Sequence, residues 1–135
     1  MIAIDTNVLL RYLLEDDPVQ STKAASLIEG ATTVLVTDVV LVETIWTLRG
    51  AKYQLGKPDL IAVIKALFQE PAIRFEDGQA TWIALDQYRK SKGADFADAL
   101  VINKAKLTAT RMGEPFAGAY TFDKAALTLP ETIAP

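Results

Sequence analysis

The chain predicts an α/β fold, a parallel sheet covered by helices on both faces, and three observations carry that expectation. Short apolar strands alternate with helical patterns along the whole length. Capping residues stand where the helical patterns begin, most plainly at Asp17-Pro18, an N-cap followed by a proline at the first helical position. Half of the 135 residues are hydrophobic, enough for one domain to bury a sizeable core without staples.

Taken in order, Ile2 to Ile4 is a first buried strand and about Asn7 to Leu14 a helix. Asp17 caps a second helix ending near Gly30, where glycine suits the position just past a helix end. Val34 to Val36 is the second strand, followed by a nearly all-apolar helix over Asp38 to Leu48. Pro58 to Gln69 repeats the helical signature, and Ala72 to Phe75 is a third strand. Asp77 caps a helix to about Ser91, and Asp95 caps another to about Arg111. Ala117 to Phe122 is the fourth strand, and Thr132 to Ala134 can add a short edge strand. No linker, repeat or low-complexity segment interrupts this, so residues 1–135 are expected to form a single domain.

The chain has no histidine and no cysteine, which excludes disulfides, thiolate zinc sites, cysteine nucleophiles and imidazole acid–base pairs. The opening residues lack the basic and apolar regions of a signal peptide, and no apolar run approaches the roughly 20 residues of a membrane span. A soluble, cytoplasmic protein is expected. The net charge of −3 argues at first against a polyanionic partner. Of the 17 acidic residues, however, four stand apart, and the remaining 13 balance 14 basic ones.

Those four are Asp5, Glu43, Asp98 and Asp123, each inside or at the end of an apolar stretch. Buried carboxylates without cationic partners are costly, because ionisation then forfeits hydration. A carboxylate cage for a hard divalent cation would explain them. Each also has a plainer reading. Asp5 and Asp123 can cap the helical turns that follow them. Asp95-Phe96-Ala97-Asp98 matches a capping arrangement in which Asp95 is the cap, although Ala94, Ala97, Val101 and Ile102 place Asp98 on an apolar face. Glu43 lies in mid-helix, where capping is unavailable, among Val39, Val40, Trp46 and Thr47; its alternative is a salt bridge to Arg11 or Arg49. Oxygen-only ligands select magnesium or manganese. Such ions serve phosphoryl chemistry by activating water and stabilising the oxygens of an in-line displacement. In an open parallel sheet the site lies beyond the carboxyl ends of the strands, where Asp5 and Asp123 fall.

Four segments, Ile4-Asp5-Thr6-Asn7-Val8-Leu9-Leu10-Arg11, Val42-Glu43-Thr44-Ile45-Trp46, Asp95-Phe96-Ala97-Asp98-Ala99-Leu100 and Thr121-Phe122-Asp123-Lys124, together resemble a PIN-domain ribonuclease. More narrowly, they resemble the VapC-type toxin of a VapBC toxin–antitoxin module. The resemblance covers essentially the whole chain. It implies a three-layer α/β/α sandwich with a mainly parallel, PIN-like sheet of four to five strands. It implies that Asp5, Glu43 and Asp98 are the principal magnesium- or manganese-binding acids and that Asp123 is the fourth, while Thr6, Asn7 and Thr121 orient them. It also implies an RNA substrate, translation arrest, a homodimer, and a VapB-type antitoxin that joins it in a larger assembly. Arg11 and Lys124 are candidates for phosphate contact, and Asp95 for a substrate contact or support of the ligands. Leu9, Leu10, Leu13 and Leu14 can serve a groove, a dimer surface or the core.

One rival is another magnesium-dependent phosphotransferase or phosphatase on a doubly wound sheet. A phosphatase of the haloacid-dehalogenase type would want an acid two residues after its nucleophilic aspartate, where this chain has Asn7. A receiver domain would want paired acids after the first strand, where Asp5 stands alone. The remaining alternative is a catalytically silent PIN scaffold that binds RNA or protein.

Overall fold

Seven elements occupy the first half of the chain in the order strand, two helices, strand, two helices, strand. In the computed structural model, which describes residues 1–135, these are β1 (Ile2–Ala3), α1 (Thr6–Leu14), α2 (Pro18–Gly30), β2 (Val34–Val36), α3 (Asp38–Arg49), α4 (Lys57–Gln69) and β3 (Ile73–Phe75). The second half holds α5 (Gly78–Lys90), α6 (Phe96–Arg111), β4 (Ala119–Tyr120), a 3-10 turn at Ala126–Thr128 and β5 (Thr132–Ile133). The chain divides into two compact units, Met1–Glu76 and Asp77–Pro135.

In the first unit β1, β2 and β3 form a parallel sheet in that order. The register sets Ile2 beside Val34 and Val34 beside Ile73. β2 is central, and both Val34 and Val36 are fully buried, as a strand covered on both faces requires. The helices bury single stripes: Leu41, Thr44, Ile45 and Leu48 on α3, and Leu60, Ile64 and Leu67 on α4. Each buried leucine or isoleucine contributes roughly 2 kcal/mol, so these stripes decide which way each helix faces. Phe68 and Phe75 pack with ring centroids 4.4 Å apart, joining α4 to β3.

In the second unit α5 packs against α6, with Tyr88 edge-on to Phe96. Asp77 caps α5 by accepting from the Ala80 amide at 3.1 Å, and its buried carboxylate also meets Arg111 at 3.0 Å and Lys104 at 3.3 Å. Burial would raise its pKa, but the hydrogen bonds from Arg111, the Ala80 backbone and Lys104 outweigh that and hold the carboxyl below its ordinary value. β4 and β5 form a separate parallel pair.

Three expectations are corrected here. The sheet of four to five strands is observed as three strands plus two. The fourth strand, expected over Ala117 to Phe122, is only Ala119–Tyr120. Gly118 has φ of 117°, outside the extended region, and Ile133 packs so closely on it that an added Cβ would meet Ile133 Cδ1 at 2.6 Å; beyond Thr121 the backbone turns to bond its own side chains. Gly30, expected just past the end of α2, is its last residue, and Ala31 in extended conformation closes the helix. Leu9 and Leu10 belong to the core, while Leu13 and Leu14 are half-buried.

Candidate functional site

In the first unit the acids gather where the parallel strands end. Asp5 follows Ile4, which is tied to β2 by Ile4 N donating to Leu35 O at 3.4 Å. It is the N-cap of α1, with Oδ1 accepting from the Val8 amide at 2.9 Å. The cap engages only one of its two oxygens. The side chain is exposed and makes no ion pair.

Glu43 reaches the same helix end from α3. Thr6 Oγ1 donates to Glu43 Oε1 at 3.1 Å, so the residue after Asp5 holds the carboxylate of an acid 37 positions away. The buried stripe of α3 turns Glu43 outward, and it is exposed together with Val39 and Trp46. The apolar residues around Glu43 therefore lie outside the core, and no ion pair compensates its charge. This corrects the expectation that these acids are buried: Asp5, Glu43 and Asp123 are exposed, and Asp98 is half-buried. An all-apolar helix shows apolar residues on every side, so sequence cannot tell which stripe the sheet will cover.

Arg11 does not pair with Glu43. Its guanidinium is committed to Asp16 at the α1–α2 turn, where Tyr53 also donates to the carboxylate at 3.3 Å. The hydrogen bond to Asp16 raises the Arg11 pKa, against the opposing effect of burial, and lowers that of Asp16. Asn7 is exposed and lines, with Arg11 and Lys23, a shallow cavity of about 250 Å³ between α1 and α2. One further acid escaped the sequence reading. Glu76, at the end of β3, accepts from the Asp38 amide at 3.1 Å and so supports the start of α3. Its signal was an acid directly after the apolar run to Phe75.

In the second unit Asp95 caps α6, and the Asp95 amide donates to Asp98 Oδ2 at 3.1 Å, closing a capping box. Asp98 thus combines its half-buried place near the start of α6 with a local structural task. Asp123 Oδ1 accepts from Ala125 N at 2.8 Å and Ala126 N at 3.4 Å, while Asp123 N donates to Thr121 Oγ1 at 3.0 Å. Thr121 therefore orients the turn that presents Asp123. Lys124 is exposed beside it.

The bonds formed are Thr6 with Glu43, next in the chain to Asp5, and Asp95 with Asp98. No group of three or more acidic side chains is assembled for a metal ion. The donor chemistry nevertheless fits a hard cation: all are carboxylate oxygens, and Asp5 and Glu43 are exposed and make no ion pair. Residues 2–124 match the model of the PIN domain family. The chain belongs to the PIN domain family. The matched stretch contains every acid described above. Among solved structures, VapC20 of Mycobacterium tuberculosis, described as a Sarcin-Ricin loop cleaving toxin, is similar with 20% identity and a TM-score of 0.43, and the match covers 100% of each chain. No curated protein matches this PIN domain. None of its helices is long and apolar enough to cross a membrane.

Proposed function

We propose that this PIN domain is a magnesium- or manganese-dependent endoribonuclease, the VapC-type toxin of a type II toxin–antitoxin pair, which arrests translation by hydrolysing RNA. The observation that carries the reading is the state of Asp5 and Glu43: two carboxylates presented at the ends of parallel strands, tied to one another's elements by Thr6, and left without a cation. Membership of the PIN family and the presence of all four motif acids support the same reading.

Asp5, Glu43, Asp98 and Asp123 are the residues that would hold the ion. When bound, it would supply an activated water and offset charge on the phosphate undergoing displacement. The protein's part is to aim its oxygens. The Val8 amide fixes Asp5, the Thr6 hydroxyl fixes Glu43, the Asp95 amide fixes Asp98, and the Ala125 amide fixes Asp123. Glu43 or Asp98 takes the proton from the attacking water, the chain having no imidazole for that task. Lys124, exposed next to Asp123, would meet phosphate. A VapB-type antitoxin and a second copy of the chain complete the assembly.

The test is cleavage of total cellular RNA by purified protein with magnesium, with manganese and with chelator, alongside Asp5→Asn. The expected result is discrete, metal-dependent cutting that the variant lacks. Cleavage surviving in a rigorously repurified Asp5→Asn protein would overturn the mechanism. No cleavage by well-folded, partner-free protein across total RNA would favour the silent binding scaffold.

A further inference from the structure

Phe122 is 86% exposed, more than any other large apolar side chain of the molecule. A ring of this size ordinarily gains by burial, yet local structure holds this one out. On one side the Thr121 amide donates to Ile133 O at 3.0 Å, tying the chain to β5. On the other the Asp123 amide donates to Thr121 Oγ1 at 3.0 Å, and Asp123 Oδ1 accepts from the Ala125 amide at 2.8 Å. The backbone is therefore fixed on both sides of a ring that meets no other aromatic. A second bare ring, Tyr120, stands two residues earlier and is 64% exposed.

The neighbours indicate what such a ring can bind. Phe122 directly precedes Asp123 and Lys124, both exposed. A flat apolar face, a candidate metal ligand and an ammonium thus follow one another at about 3.8 Å per residue along the backbone. An apolar peptide laid on the ring would have to strip water from the two charges beside it. A nucleotide has a use for both features, since its phosphate meets the ammonium while its base, which has a π-face, stacks on the ring. Bases inside a duplex are already stacked, whereas those of a single strand are free to be taken up by aromatic side chains.

On the ribonuclease reading above, we infer that Phe122 is a stacking platform for an unpaired RNA base adjoining the phosphate met at Asp123 and Lys124. The contact is with the face of the base, so it positions single-stranded RNA without selecting its sequence.

The test is binding of a fluorescein-labelled single-stranded RNA oligonucleotide of mixed sequence to the full chain, followed by fluorescence anisotropy with chelator present. Phe122→Leu keeps an apolar side chain and removes the ring; it is expected to weaken binding about tenfold, and Phe122→Trp is expected to keep it. The same strand with abasic sites in place of its bases should bind wild type and Phe122→Leu alike. Equal RNA binding by wild type and Phe122→Leu, or an equal loss with the abasic strand, would overturn the inference. So would a change in oligomeric state on sedimentation of Phe122→Leu with its RNA binding unaltered, which would assign the ring to a contact between copies. Cleavage by the wild type with magnesium, measured in parallel, keeps the two readings apart. Cleavage with binding indifferent to Phe122 would remove the platform alone, Phe122-dependent binding without cleavage would remove the nuclease alone, and neither binding nor cleavage would remove both.

Discussion

The two units present their acids in different ways. In Met1–Glu76 Thr6, the residue after Asp5, donates to Glu43 and joins two helices that start after different strands, through a hydrogen bond spanning 37 residues. In Asp77–Pro135 the Asp95–Asp98 pair spans three residues and is complete within the first turn of one helix. Local capping accounts for the second pair, because a carboxylate there satisfies a free amide and favours the helix dipole. It cannot account for Glu43, which satisfies no backbone amide and has no cation. An acid held by distant residues without structural need is the stronger sign of chemistry.

Variants that sharpen this contrast should separate loss of activity from loss of stability. The largest effect is expected from Asp5→Asn and Glu43→Gln, each lowering RNA cleavage at least ~100-fold, since ligand loss removes several kcal/mol of charge stabilisation. Neither should change the urea midpoint much. A matched fall in activity and stability would return Glu43 to the class of structural acids.

Asp77→Ala should do the reverse and cost about 2–3 kcal/mol of stability, by removing a helix cap and leaving Arg111 and Lys104 without their buried partner. The pH dependence has a definite sign. The folded carboxyl titrates below its unfolded value of about 3.9. Its contribution is therefore fully present above that value and is lost as pH falls through the lower folded one. Urea unfolding at pH 6 and pH 3 should show a gap between wild type and Asp77→Asn that narrows in acid.

A smaller effect is expected at Thr6. Thr6→Val keeps the shape and deletes the hydroxyl, and should reduce cleavage about tenfold, as loss of a ligand-orienting bond does; Thr6→Ser should restore most of it. Equal activity in both variants would show that the Thr6–Glu43 bond does not position the carboxylate. Smallest in stability is Asp98→Ala, expected to cost about 1 kcal/mol through the capping box, measured by urea unfolding without metal. An increase in stability would mean that repulsion at Asp98 exceeds its capping value.

Much of the local structure was legible. The starts of α2, α5 and α6 follow from Asp17, Asp77 and Asp95, because capping and helical periodicity depend on neighbours three or four residues away. β2 was legible in full from Val34-Leu35-Val36. The four motif acids were legible by residue type and by their setting in apolar runs. The exposure of Glu43 was not, because α3 is apolar on nearly all sides and only contact with the rest of the fold chooses which stripe to cover. Arg11 was open for the same reason: Asp16 won it through the geometry of the α1–α2 turn.

The sequence by itself thus determined the helices, their caps, the α/β class and the acids that place the chain in the PIN family. Tertiary structure decided the pairing of strands into sets of three and two, the outward turn of Glu43, and the long-range bonds Thr6–Glu43 and Tyr12–Glu70. The division has one physical cause. Helices and caps close over a few residues, whereas strand partners and the acids they carry meet only when distant segments bury their apolar faces together.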